Sequence, residues 1–297
     1  MIAAQPGPGA GLPDPASQNG PTALRIALGA HLRHLRESQG ISREVAGDVI
    51  RASEAKISRL ELGRVGFKKR DVADLLTLYG ISDPEQRQEF FELVEQANSP
   101  GWWHRYNDVT PRWFELYLGL EQSASVIRSY EAQFVPGLLQ TPDYVRGVMG
   151  HGNVEAAAVQ RRIDLRLKRQ EILERPGSPK LWIVIEEAAL CRPVVEARVR
   201  REQMRHLIEV AQRPSVTIQM VPRDFAGHAA TGLPFTLLRF DHQELPDVVY
   251  IEHLTSALYL DKRQDVDHYA AALDSLCAQV LPPDRTLSAF ERIAAEL

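Results

Sequence analysis

The chain has 297 residues, of which 44% are hydrophobic and 25% charged, and its formal net charge is −4. This composition is typical of a globular protein with one large or two ordinary domains. No stretch approaches the run of about eighteen apolar residues that spans a bilayer, and the N-terminus lacks the order of a secretory signal. We therefore expect a cytoplasmic protein with no membrane partner.

The first segment of the chain, residues 1–22, is rich in Pro, Gly and Ala and has no hydrophobic periodicity. Such a segment cannot bury enough apolar surface to order itself, so we predict a disordered tail. Two cysteines, Cys191 and Cys277, lack CxxC spacing and stand among apolar residues, which favours buried thiols over a disulfide or a metal site. We expect no metal and no cofactor.

Residues 23–98 have the pattern of a small all-helical bundle. Leucines at helical spacing predict a first helix over residues 24–37, ended by Gly40. A short helix follows over residues 42–50, with Ser42 as its N-cap. Its apolar positions Val45, Ala46 and Val49 are expected to form one buried stripe.

A second short helix is predicted over residues 53–62, directly after a tight turn. Ser53 is a good N-cap, Ile57 and Leu60 recur at helical spacing, and Gly63 can end the helix in the left-handed conformation. Two short helices with a tight connection constitute a helix-turn-helix. If Ile57 and Leu60 face inward, the outer face carries the side chains that contact base edges in such motifs, namely Ser53, Glu54, Ala55, Lys56, Ser58 and Arg59.

The charge of this region supports the same interpretation. Residues 51–70 contain seven basic and two acidic residues, a net charge of +5 in a chain whose total is −4. Surface helices often carry Lys and Arg only for solubility. Here the basic stripe coincides with a capped helix pair, and this favours phosphate contacts.

The run of residues 53–64, SEAKISRLELGR, resembles the recognition helix of the lambda-repressor-like, XRE-type helix-turn-helix family. The resemblance extends over residues 23–80 and implies that Arg43, Glu54, Lys56 and Arg59 contact bases or phosphates. One departure is the turn, where the family usually has Gly and this chain has Ile50, Arg51 and Ala52. Further helices are predicted over residues 71–79 and from Ser82 onward.

A break at Asn98, Ser99, Pro100 and Gly101 predicts a domain boundary, so residues 99–297 form the second domain. We expect helices capped by Thr110-Pro111 and by Thr141-Pro142, the first reaching about Ser129, and a charged helix over residues 154–174. The arginines and lysine of the charged helix are predicted to form a solvated face rather than a second nucleic-acid surface; they are Arg161, Arg162, Arg166, Lys168 and Arg169.

Beyond residue 176 short β-branched and aromatic runs predict strands at residues 181–185, 216–221, 235–240, 248–251 and 258–260. The third and fourth are expected to pair as a hairpin, and helices are predicted over residues 195–212, 266–280 and 288–297. The predicted fold is therefore multidomain: an N-terminal all-α helix-turn-helix bundle and a C-terminal α+β domain with a small, mostly antiparallel sheet.

Four stretches of the second domain, YEAQFVPGLLQTPDY, LWIVIEEAALCRPV, FAGHAATGLPFTLLRF and DVVYIEHLTSALYL, resemble the C-terminal domain of the actinobacterial antitoxin-like transcriptional regulators. The resemblance covers essentially residues 23–297. It implies a regulator of development or secondary metabolism, often encoded beside a small partner protein, and no known ligand.

Catalysis is not the preferred interpretation of the second domain. Glu186, Glu187, His228, Glu252 and His253 stand near strand ends, but no metal-binding spacing, nucleophile elbow or phosphate loop accompanies them. Carboxylates at strand ends are ordinarily solvated or capping, and a lone His beside glycines is ordinarily a loop donor. We therefore predict that the protein is not an enzyme.

A binding role is favoured, and two forms of it stay open. An apolar, turn-rich segment with Pro136, Gln140 and Thr141 leads into a helix N-terminus, where free N–H groups can meet an anionic or carbonyl-bearing ligand, although it could also serve only packing. Tentative ligand- or partner-binding residues are Tyr130, Pro136, Gln140, Thr141, Tyr144, Trp182 and His228. A ligand pocket predicts a concave site lined by Tyr144, Trp182 and His228, whereas a surface for a protein partner predicts an exposed apolar patch or a bare sheet edge.

The sequence therefore predicts a DNA-binding transcriptional regulator whose C-terminal domain senses a small molecule or a partner protein. It is expected to bind double-stranded DNA as a homodimer. Glu54, Lys56 and Arg59 would set base preference, and phosphate would be held by Arg43, Arg64, Lys68 and Lys69. The alternative is an antitoxin-like module that sequesters a protein partner and binds DNA only to autoregulate its own operon.

Overall fold

The structure is a computed structural model that describes residues 20–150, 155–225, 227, 230, 232–241 and 245–297. The chain divides into two compact units. The first comprises the described residues up to Trp102 together with Leu245, and the second comprises the other described residues from Trp103 onward. Most of the predicted N-terminal tail lies outside the described residues. Its last residues, however, belong to the first helix, which begins with Pro21 at a position where proline is favoured.

The first unit is a helical bundle. Ser42, Ser53 and Asp83 cap three of its helices by accepting hydrogen bonds from backbone N–H groups in the first turn. The helices pack around a common core that includes the fully buried Leu28 and Phe90. The helices are α1 (Pro21–Ser38), α2 (Arg43–Val49), α3 (Glu54–Glu61), α4 (Lys69–Leu78) and α5 (Pro84–Ala97).

The predicted apolar stripe of α2 is wrong in two of its three positions. Ala46 is buried, but Val45 and Val49 are 47% and 41% exposed. The reason is that α2 packs closely through Ala46 and Gly47. A Cβ added to Gly47 would lie only 2.6 Å from the carbonyl oxygen of Ala52. A helix of seven residues that approaches its neighbour through so narrow a face leaves its larger apolar side chains outside.

The second unit combines a sheet with helices. The strands are β1 (Val126–Glu131), β2 (Lys180–Glu186), β3 (Val216–Val221), β4 (Phe235–Arg239), β5 (Val248–Glu252) and β6 (Ala257–Leu260). The helices are α6 (Arg112–Ser123), α7 (Pro142–Met149), α8 (Ala156–Gln170), α9 (Glu187–Cys191), α10 (Ala197–Val210), α11 (Arg263–Gln279) and α12 (Pro283–Glu296). Within the described ranges, no helix is both long and apolar enough to cross a membrane.

The sheet is mixed, which corrects the prediction of a mostly antiparallel one. Its strand order is β3-β2-β1-β4-β5-β6. The pairs β1–β2 and β2–β3 are parallel, whereas β4 pairs antiparallel with β1 and with β5, and β5 pairs antiparallel with β6. Helices α7 and α8 separate β1 from β2, and α9 and α10 separate β2 from β3. Helical crossovers of this kind connect parallel strands.

Strand β1 is the one that the sequence analysis missed, because it was merged into the preceding helix. Helix α6 ends at Ser123, and Ala124 already has an extended backbone. The Val126–Glu131 strand that follows occupies the middle of the sheet, between β2 and β4. Of the predicted cap Thr110-Pro111, Pro111 is the N-cap of α6, and the Thr110 side chain does not cap this helix.

The two faces of the sheet have different neighbours. On one face Tyr130, Leu237 and Val249 pack in a buried cluster with Leu273 and Leu276 of α11. Because side chains alternate along a strand, residues adjacent to these in sequence point to the other face. That other face forms the floor of the cavity described below.

Candidate DNA-binding surface and a cavity in the second unit

Helix α3 presents its N-terminal half to solvent. The hydroxyl of Ser53 accepts a hydrogen bond from the backbone N–H of Lys56 at 3.3 Å and so caps the helix. Ile57 and Leu60 are buried in the bundle core, while Glu54 and Arg59 are exposed. Ala55 is exposed beside them, and Ser58 is half-buried. This is the face that the sequence predicts for contact with base edges.

The turn between α2 and α3 has an unusual backbone. Arg51 has a φ of 54°, and within the described residues it is the only non-glycine residue with a positive φ. This is the left-handed conformation that glycine adopts without strain and that other residues adopt at a cost. Arg51 therefore adopts the backbone conformation that a glycine would adopt in this turn, although it carries an exposed arginine side chain.

A buried ion cluster joins α1, α2 and α3. Arg36 donates hydrogen bonds to both carboxylate oxygens of Glu61, and Arg43 donates from Nε to Oε2 of the same carboxylate at 3.0 Å. Glu61 and Arg36 are almost fully buried. The hydrogen bond to Glu61 raises the pKa of the Arg36 guanidinium. Arg43, predicted to hold phosphate, is therefore already engaged within the bundle.

Lys56 is likewise engaged, although the sequence places it on the outer face of α3. Its ammonium lies 2.6 Å from Oδ2 of Asp71 in α4, and Asp71 is buried. Removing Lys56 would leave a buried carboxylate without this partner, a change that destabilises the fold itself. Loss of DNA binding in a Lys56 variant would thus not distinguish recognition from folding. Arg59 is the cleaner probe, because its described hydrogen bond runs from Nε to the carbonyl of Ala55 in the same helix.

The other predicted phosphate contacts follow α3 in the chain. Arg64, Lys68 and Lys69 are all exposed, and Lys69 also lies 3.4 Å from Glu95 and over the ring of Phe91. Gly63 ends α3 with a φ of 63°, as predicted. The structure therefore brings Arg59, Arg64 and Lys68 to the surface within one short segment.

The second unit contains a cavity of about 780 Å³. Its walls come from the start of α6, the segment that follows β1, one face of α8, and the ends of β1, β4 and β5. Several aromatic rings line it, among them those of Phe114, Tyr117 and Tyr250. The volume and the mixture of aromatic and charged walls are those of a small-molecule site.

The residues predicted for a pocket are only partly at this cavity. Pro136 and Gln140 line it. Thr141 instead caps α7, its hydroxyl accepting from the N–H of Tyr144, and Tyr144 is buried. His228 lies outside the described residues.

Tyr130 and Trp182 are on the wrong side of the sheet for this cavity. Tyr130 belongs to the cluster under α11 and donates a hydrogen bond to Glu186 at 2.8 Å. Trp182 donates to Gln219 at 2.9 Å and lines a separate hollow with Cys277, which is a free and half-buried thiol. Glu131, one residue after Tyr130, lines the cavity.

The basic face of α8 is the feature that the sequence analysis misjudged. Arg162, Arg166 and Arg169 line the cavity together with Leu165. They are therefore not part of a solvated face. The signal was available in their spacing, because positions i, i+3, i+4 and i+7 share one side of a helix and Leu165 marks that side as inward.

The acids considered for catalysis have ordinary partners or lie at the cavity. Glu187 accepts a hydrogen bond from the backbone N–H of Arg223 at 3.0 Å. Glu252 and His253 line the cavity, and Glu252 accepts from the Tyr250 hydroxyl at 2.9 Å.

Comparison with protein families gives two matches. Residues 27–90 match the helix-turn-helix domain model, and residues 114–292 match the model of a domain of unknown function (DUF5753). A comparison with curated proteins and one with solved structures each gave no match. The first match spans α2, α3 and the turn between them, and the second spans the whole sheet and most of the residues that line the cavity.

Proposed function

The chain belongs to the family defined by the domain of unknown function DUF5753, here preceded by a helix-turn-helix domain, and from this premise we propose that it is a sequence-specific transcriptional regulator. In this proposal α3 enters the major groove, and the second unit senses a small molecule that changes DNA binding. The observation that carries the proposal is the exposed face of α3, where Ser53 and Glu54 at the N-terminal end and Arg59 in the last turn are free of the bundle core.

Exposed polar groups at the start of the second helix of such a motif are the ones that reach base edges. Arg59 has the guanidinium fork suited to a guanine edge, and Glu54 can accept from a cytosine amine. Arg64 and Lys68 would add sequence-independent phosphate contacts. We further propose that two copies bind two half-sites about one helical turn apart, since one short helix reads too few base pairs for specificity.

The test is selection of bound duplexes from a random pool with the full chain, followed by affinity measurements on the best sequence. Arg59→Ala is expected to weaken that affinity by about 1–3 kcal/mol and to relax the preference at one position. The matched control is Arg263→Ala, which removes the same charge from an arginine 94% exposed at the start of α11.

Two results would contradict the proposal. One is a pool from which no common sequence emerges, and the other is an Arg59→Ala variant that binds as tightly as its Arg263→Ala control. A common sequence confined to the protein's own promoter in its genome would instead favour autoregulation by a module that sequesters a protein partner.

A further inference from the structure

The charges on the α8 wall of the cavity are only partly balanced. Arg169 is satisfied, because it donates two hydrogen bonds, at 2.9 and 2.7 Å, to the buried carboxylate of Glu121. Its guanidinium also lies 5.1 Å from the centre of the Phe114 ring. Arg169 thus contributes to the wall of the cavity with its charge already compensated.

Arg166 has a neutral partner instead. Its Nη1 donates to Oε1 of Gln140 at 2.6 Å, and Gln140 is held by its own hydrogen bond to the carbonyl of Val135. Burial, followed by the charge of Arg169, lowers the pKa of the Arg166 guanidinium to about 10. The guanidinium therefore sits in surroundings that disfavour its charge, and an incoming anion would relieve this.

Arg162 stands one turn before Arg166 on the same face of α8. It makes no hydrogen bond or ion pair with any residue that the structure describes. Two like charges at i and i+4 repel each other, and the repulsion grows where water is excluded. Arg162 and Arg166 thus place two guanidinium groups in the cavity wall, and neither forms an ion pair with a described carboxylate.

The acidic wall does not cancel these two charges. Continuing the strand registers places Glu131, Pro234 and Glu252 in one row across β1, β4 and β5, so the two glutamates are about 10 Å apart along the sheet. Burial, together with the charge of Glu252, raises the pKa of Glu131 to about 8. At neutral pH Glu131 is therefore mostly protonated and can donate a hydrogen bond, so its carboxyl group does not offset the charges of Arg162 and Arg166.

Between these walls the cavity is aromatic. The rings of Phe114 and Tyr117 are stacked with centres 5.2 Å apart, and the rings of Tyr117 and Tyr250 are 4.2 Å apart. Such a surface favours a flat ring system over a flexible chain.

We propose that the cavity binds a small organic anion in which a carboxylate or sulfonate is attached to a planar aromatic ring system. The acid group would lie on Arg162 and Arg166 and the ring against Phe114, Tyr117 and Tyr250. Binding of this anion does not depend on the proposed function. Only its consequence rests on that function, namely that the anion is the molecule that the regulator senses.

The test uses two dyes that differ by one group, 1-anilinonaphthalene-8-sulfonate and the neutral N-phenyl-1-naphthylamine, titrated into the full chain without DNA. The sulfonate is expected to bind at one saturable site. Its affinity should fall at least about tenfold in Arg162→Gln and in Arg166→Gln, because each variant removes a charge-assisted hydrogen bond. The affinity of the neutral dye should change little. Arg205→Gln is the matched control, from an exposed arginine on α10.

Arg162→Gln keeps the test decisive if Arg166→Gln fails to fold, because Arg162 makes no hydrogen bond or ion pair with the described residues that the substitution would break. Competition adds a second arm, in which 1-naphthoate should displace the sulfonate and 1-naphthylmethylamine should not. The proposal is overturned if the sulfonate has no saturable site, if its affinity is the same in Arg162→Gln and the control, or if the amine is the better competitor.

Failure of this inference and failure of the proposed function have different signatures. If the sulfonate binds as expected but leaves DNA affinity unchanged, the cavity is an anion site and the sensing role is wrong. If the full chain selects a DNA sequence but no anion binds, regulation stands and the ligand class is wrong.

Discussion

Arg51 occupies a backbone conformation that costs energy at every non-glycine residue. Its φ of 54° is set by the tight connection between α2 and α3, where the backbone N–H groups of Arg51 and Ala52 bond to the carbonyls of Asp48 and Gly47. The strain of a left-handed non-glycine residue is about 1–2 kcal/mol. The turn is retained because the packing of both helices determines it.

We expect Arg51→Gly to stabilise the first unit by about 0.5–1 kcal/mol, the relief of strain less the extra entropy that glycine has in the unfolded chain. The measurement is hydrogen exchange of the α2 and α3 amides in the full chain. Arg51→Ala is the control, because it removes the charge and keeps the Cβ atom. An equal gain in both variants would mean that the charge, not the backbone, is the source of the effect.

At the scale of elements, the arrangement of α1, α2 and α3 depends on the single carboxylate of Glu61. It accepts from Arg36 in α1 and from Arg43 in α2. Helix α2 has few other anchors, because its valines are exposed and its buried residues are Ala46 and Gly47. The Glu61 carboxylate therefore supplements this narrow packing contact in fixing the position of α3 relative to α2, which DNA recognition requires.

Glu61→Gln is expected to destabilise the first unit by about 3–5 kcal/mol, because it removes the buried counter-charge of Arg36 and leaves that guanidinium only the exposed Glu37. In calorimetry of the full chain, the transition of the helical unit should fall by more than about 10 °C. Glu44→Gln, an exposed acid on α2, is the matched control and should leave the transition within about 2 °C. A Glu61→Gln transition as high as that of this control would show that apolar packing alone fixes the bundle.

At the scale of the whole molecule, charge is segregated along the chain. The total is −4, yet residues 51–70 carry +5, and Arg59, Arg64 and Lys68 are exposed there. A negative total charge opposes non-specific adhesion to nucleic acid, so binding must come from the local basic surface.

Lys68→Ala is expected to weaken binding to all duplexes alike and to reduce the slope of log affinity against log salt by about 0.9 per protomer, one phosphate contact. Affinity measured over a series of salt concentrations tests this, with the exposed Lys180 of β2 changed to Ala as control. Equal slopes in the two variants would place Lys68 away from the phosphate backbone.

The sequence by itself determined the elements whose signals are local. The caps at Ser42, Ser53 and Thr141 depend on one side chain and the N–H groups of the next turn, so residue type and spacing predict them. The strand runs at residues 216–221 and 248–251 lie where predicted for the same reason. The family match over residues 27–90 agrees with the helix-turn-helix that the sequence predicts.

Only the tertiary structure decided which way side chains face and how distant segments pair. Tyr130 and Glu131 are neighbours, yet one packs under α11 and the other lines the cavity, because a strand alternates between faces and the register decides the side. Lys56 and Arg166 are basic residues on helices, and such residues are expected to face solvent. Their long-range partners Asp71 and Gln140 instead hold both side chains inward. Such partners lie 15 and 26 residues away, beyond the reach of any periodicity within one element.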